Sequence, residues 1–91
     1  MNEFITGKIA NWLVLYLSDL LGIAEDQIDT AAAFNRMGLD SSSSVGMIGD
    51  LEDWLDCELD PAVAYDYPSV EKLSAFLATE PLVQKLSLIH I

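Results

Sequence analysis

The chain has 91 residues, of which 52% are hydrophobic, and carries 15 acidic against 4 basic side chains, for a formal net charge of -11. That length holds one compact domain rather than two, and that apolar content excludes a wholly disordered chain, which combines high charge with low hydrophobicity. So negative a surface repels nucleic acid and anionic membranes and suits partners with a basic patch, although solubility alone would also account for it.

Glu3 to Leu21 is expected as the first helix, because Ile5, Ile9, Trp12, Leu13, Tyr16, Leu17 and Leu20 recur at spacings of three and four. Gly22 supplies its C-cap. The stretch from Ile23 to Leu39 has no sustained helical period and reads as a long ordered loop pinned by Ile28 and Phe34. Unusually long loops in small domains tend to be functional. Gly38 then permits a turn, and Asp40 is a good N-cap for a second helix over Ser41 to Leu55. Met47, Ile48, Leu51 and Leu55 form its apolar stripe, with Trp54 either in the core or at a contact. Gly46 and Gly49 weaken this helix by about 1 kcal/mol each relative to alanine. Their presence implies either the close approach of another surface or low local stability. Pro61 opens a short turn over Val63 to Asp66, Ser69 caps a last helix carrying Val70, Leu73, Phe76 and Leu77, and Pro81 stops it.

Residues 1–81 are thus expected to form the domain. The tail, 82–91, ends in an apolar hexapeptide, Leu86 to Ile91, that resembles the translation of a transposon end used in preparing sequencing libraries. The tail is therefore expected to be non-native. The single cysteine, Cys57, excludes an intrachain disulfide and four-cysteine metal sites, and reads as a packing residue. With no unbroken run of 18 apolar residues, no membrane span is expected. With no basic leader before Phe4 and no disulfide, the expectation is a cytoplasmic protein. The sequence offers no Ser-His-Asp set in the ordered region, no metal-ligand cluster and no phosphate-cradling glycine loop, so catalytic residues are expected to be absent.

The informative stretch is Phe34-Asn35-Arg36-Met37-Gly38-Leu39-Asp40-Ser41. It closes a loop with a glycine turn and presents a serine on the first turn of a helix, where unpaired N–H groups and the helix dipole would favour an anion. The pattern Phe-x-x-x-Gly-x-Asp-Ser resembles the attachment motif of acyl carrier proteins. Tyr65-Asp66-Tyr67-Pro68-Ser69 resembles the Tyr/Phe-Asp-Tyr-Pro-Thr segment of polyketide-synthase carrier domains, and the two blocks stand in the family's order. The resemblance implies an all-α four-helix bundle with a long first loop and a short third helix. It implies a 4′-phosphopantetheine arm on Ser41, installed from coenzyme A by a separate phosphopantetheinyl transferase in a magnesium-dependent reaction. Acyl groups would ride on that arm as thioesters between an acyltransferase, a ketosynthase or other thioester-using enzymes. It makes the second helix the docking surface and the chain a carrier rather than an enzyme, expected to be a monomer.

From Met37 to Glu71 the chain carries nine acidic residues, Asp40, Asp50, Glu52, Asp53, Asp56, Glu58, Asp60, Asp66 and Glu71, and no lysine or arginine. Such a field steers basic partners and fades with salt. Ser42, Val45, Gly49 and Glu52 share one side of the second helix and, with Asp53, are the expected partner contacts. One departure stands out: the family commonly has Leu, Ile or Val directly after the modified serine, and here it is Ser42. Two alternatives remain open. One is a fatty-acid or peptidyl carrier. The other is an acidic helical interaction domain without a prosthetic group, which would need no serine at that helix start.

Overall fold

In the computed structural model, which describes residues 2–80, α1 (Asn2–Leu21) buries the row Ile5, Ile9, Leu13 and Leu17. These residues lie four apart, so they drift only slowly around the helix and present one continuous ridge. The row continues to Leu21, which packs against the core, and leaves Leu20, expected on the stripe, 47% exposed. Gly22 ends the helix in the left-handed region at φ 68. Its N–H and that of Ile23 both donate to the Ser18 carbonyl, at 3.0 and 3.2 Å, which satisfies the last turn.

Ile28 and Phe34 are buried as expected, and Leu39 is a third anchor the sequence reading did not assign. Two single 3-10 turns, Glu25–Gln27 and Phe34–Met37, punctuate the loop. It is stitched to the start of the last helix from both sides. Phe34 N–H donates to the Pro68 carbonyl at 2.8 Å, and Glu71 N–H to the Thr30 carbonyl at 3.0 Å. Thr30 Oγ1 donates in turn to Glu71 Oε2 at 2.9 Å.

Helices α2 (Ser41–Leu55), α3 (Val63–Asp66) and α4 (Val70–Leu77) complete the fold, and no strand occurs among the described residues. Met47, Ile48, Leu51 and Leu55 of α2 meet Val63 and Ala64 of α3 and Val70, Leu73 and Leu77 of α4 in one core. Fully burying one such aliphatic side chain contributes about 1.5–3 kcal/mol. Ser69 caps α4, its Oγ accepting from Lys72 N–H at 3.2 Å. Ser74, buried in α4, keeps its hydroxyl satisfied on the Val70 carbonyl at 2.7 Å. The bundle is all-helical, with the long first loop and short third helix expected.

One expectation needs correction. The absence of an unbroken apolar run does not exclude a membrane-length helix, because Phe4–Leu21 reaches a mean hydropathy of 1.2 over 18 residues. Packing of its buried row along α4 is what makes α1 a core helix of the bundle. Gly46 and Gly49 are not explained by close approach within the chain, since a Cβ at either would meet no atom within 4 Å. Trp54 is half-buried and stacks on Trp12 with ring centroids 5.6 Å apart, and Trp12 stacks on Tyr16 at 5.2 Å, forming an aromatic seam between α1 and α2. The tail 82–91 lies outside the described residues.

Candidate functional site

The long loop delivers its last residues to α2 under tight local control. Phe34 and Leu39 are both buried, and Gly38 between them sits at φ 97, where a side chain would be strained. Leu39 N–H donates back to the Phe34 carbonyl at 3.2 Å. This buckle leaves Asp40 exposed, with extended backbone, at the mouth of α2. Asp40 Oδ1 accepts from Ser43 N–H at 2.8 Å, and its carbonyl from Ser44 N–H at 3.0 Å. The bond from the Ser43 amide, followed by that from the Ser43 hydroxyl, holds the Asp40 carboxyl below its ordinary range. The cap is therefore a carboxylate at neutral pH.

Four consecutive serines follow, and helical geometry sorts them. Ser41 and Ser42 are exposed, Ser43 is half-buried and engaged with Asp40, and Ser44 is 8% exposed. Of the two exposed hydroxyls, Ser41 alone borders a groove of about 450 Å³ whose walls include Phe34, Leu39, Ser44, Tyr65 and Pro68. The residues fit a covalently attached arm: a solvent-facing hydroxyl on a rigid helix start, with an open groove beside it. Asp40 shapes the helix start by taking the Ser43 N–H, so one amide of the first turn is already engaged.

The residues expected to meet partners all lie on α2. Ser42 and Asp53 are exposed, Val45 is 47% exposed, and Gly49 and Glu52 are half-buried. Glu52 also has a structural task, its Oε2 accepting from Leu59 N–H at 2.7 Å and so tying the α2–α3 connection back to the helix. Asp56 ends α2 at φ 54, the position a glycine would more readily adopt. Burial, reinforced by Glu52, Asp56 and Glu80, pushes the Cys57 thiol up, which disfavours the thiolate a nucleophile needs. Tyr65, a motif residue outside the expected contacts, lies on the same groove as Ser41. A four-residue helix in which Val63 and Ala64 are both buried beside it offers no readable period.

The chain matches the family described as phosphopantetheine attachment site over residues 11–77, from α1 to the end of α4. It is 35% identical over 72 residues to the acyl carrier protein TtuC of Teredinibacter turnerae, a match covering 79% of this chain and 83% of that protein. It is 29% identical over 73 residues to the polyketide synthase PksL of Bacillus subtilis, covering 80% of this chain but only 2% of that much longer protein. Among solved structures, a free-standing peptidyl carrier protein from Acinetobacter baumannii superposes with a TM-score of 0.76 at 27% identity, covering 81% of this chain and 92% of that one. The acyl carrier protein Asl1650 from Anabaena sp. PCC 7120, described as having a variant phosphopantetheinylation-site sequence, superposes with a TM-score of 0.77 at 32% identity, covering 80% and 83%.

Proposed function

The chain belongs to the phosphopantetheine attachment family of carrier domains, and from that premise we propose that its 4′-phosphopantetheine arm is carried on Ser41. The observation that carries this reading is the sorting of the serine run: Ser41 follows the Asp40 cap directly, is exposed, and borders the groove. When attached, the arm supplies a terminal thiol that holds an acyl group as a thioester. The protein's own contribution is positional. The Ser41 oxygen forms the new bond to phosphorus as the phosphoanhydride of coenzyme A breaks and adenosine 3′,5′-bisphosphate leaves. The hydroxyl proton passes to a base of the transferase, because the hydrogen bonds that depress Asp40 also make it a weak base.

The domain serves polyketide-type enzymes rather than catalysing a reaction itself. Support comes from the Tyr65-Asp66-Tyr67-Pro68 segment and the likeness to PksL. The acidic run from Asp40 to Glu71, free of lysine and arginine, suits a transferase, acyltransferase or ketosynthase with a basic docking surface. We read residues 1–81 as the carrier domain, acting as a monomer in the cytoplasm. Incubation with coenzyme A and a broad-specificity transferase, followed by intact-mass spectrometry, is expected to add one phosphopantetheine. The addition is lost in Ser41→Ala and kept in Ser42→Ala. No mass shift on the unaltered chain, or a shift that survives Ser41→Ala, overturns attachment at Ser41.

A further inference from the structure

Large exposed apolar side chains among the described residues fall into two groups. Phe4, Leu15, Leu20 and Ile23 belong to α1 and its C-terminal turn; the others are Val45 and Tyr65. Both members of the second group flank Ser41. Val45 lies one helical turn beyond it, on the same face of α2, with Cβ atoms about 6 Å apart. Tyr65 shares the groove with Ser41 although it comes from α3. Residue 42 is a serine, so an enzyme approaching the hydroxyl finds no apolar side chain directly after it.

Tyr65 is held outward by its own helix. Val63 and Ala64 are buried beneath it, and Tyr67, whose N–H donates to the Val63 carbonyl at 2.9 Å, stacks on Phe76 with ring centroids 4.0 Å apart. The α3 turn is thus anchored by its neighbours, and Tyr65 as a residue is 62% exposed. A rigid, exposed aromatic ring loses little side-chain freedom on contact, which is why tyrosine so often anchors interfaces. Asp40 and Asp66, both exposed, stand next in sequence to Ser41 and Tyr65. Asp40 lines the groove that Ser41 and Tyr65 share, whereas Asp66 lines a separate one, so the surface around the hydroxyl sets apolar side chains beside a carboxylate and is complementary to an apolar pocket with a basic rim.

We infer that Tyr65, assisted by Val45, is the apolar contact through which the coenzyme A-dependent transferase that modifies Ser41 recognises this domain. The inference rests on the attachment reading, and its test separates the two. Loading rates at varied carrier concentration are measured by intact mass with coenzyme A and a broad-specificity transferase. The variants are Tyr65→Ala, Tyr65→Phe, Val45→Ala and, as a control on α1 about as exposed as Val45, Leu15→Ala, each checked for helicity and Tm. Tyr65→Ala is expected to raise KM about tenfold with kcat little changed, the pattern of lost binding rather than lost chemistry. Val45→Ala raises KM two- to threefold, roughly the effect of a smaller contact. Tyr65→Phe and Leu15→Ala load like the unaltered chain, and Ser42→Leu partly restores Tyr65→Ala by putting apolar surface beside the hydroxyl. Normal loading of the unaltered chain with an unchanged KM in folded Tyr65→Ala overturns the inference alone. No loading of the unaltered chain removes attachment at Ser41 and the inference with it.

Discussion

Helices α1 and α2 bury their inner faces alike and use their outer faces in opposite ways. Inward, Ile9, Leu13 and Leu17 of α1 and Met47, Leu51 and Leu55 of α2 are completely enclosed. Outward, α1 shows Phe4, with Lys8 Nζ 5.4 Å from its ring centroid, and Leu15, whereas α2 shows Ser41, Ser42, Asp50 and Asp53 around one large apolar side chain, Val45. α1 is held by packing along its length, since it too contains a glycine, Gly7, and the β-branched Ile5, Thr6, Ile9 and Val14. α2 opens with four serines and contains two glycines, so its start depends on a cap. The proposed attachment position thus stands at a helix start that depends on one side chain, Asp40.

The sharpest way to break the comparison is to remove its shared half. Leu13→Ala and Leu51→Ala should each destabilise the domain by about 2–5 kcal/mol in urea unfolding, because both positions are enclosed. A much smaller loss in one would mean that the inner faces are not equivalent.

The next largest effect concerns the cap and applies to α2 alone. Asp40→Ala should lower Tm by several degrees, while Asp40→Asn keeps much of the cap at neutral pH. Because the folded state holds Asp40 below its ordinary value of 3.8, the contribution is fully present above that pH and is lost as pH falls through the lower folded value. The Tm gap between the unaltered chain and Asp40→Asn should therefore close on acidification below about pH 4. A gap that stays constant down to pH 2 would remove the carboxylate from the role of cap.

A third test divides the acidic face. Glu52→Ala should cost about 1 kcal/mol through the Leu59 amide it leaves unpaired, whereas Asp53→Ala stays within about 0.5 kcal/mol. Charge reversal at Asp53 is then the cleaner probe of docking, since reversal at Glu52 also cuts the α2–α3 tie. The expected outcome is slower loading of Asp53→Lys at low salt, fading as salt rises. The smallest effect is a gain: Gly46→Ala and Gly49→Ala should each stabilise by about 0.5–1 kcal/mol, since nothing crowds a Cβ there. Slower loading of Gly49→Ala despite that gain would mark Gly49 as a place where a partner's surface approaches closely.

Much of this molecule was legible residue by residue. The bounds of α2 and α3, the Gly22 and Ser69 caps, the Ile28 and Phe34 anchors and the Asp40–Ser41 junction all follow from signals within a few positions of one another: glycine in the left-handed region, a side chain bonding an amide three residues on, an apolar stripe of helical period. What needed the tertiary structure is non-local. Only the packing of the loop and α3 against α2 decides that Ser44 is buried while Ser41 borders a groove, that Tyr65 reaches the same groove from 24 positions later in the chain, and that Glu52 holds Leu59. Such pairings depend on which faces meet in space, and spacing along one helix carries no record of what lies opposite it.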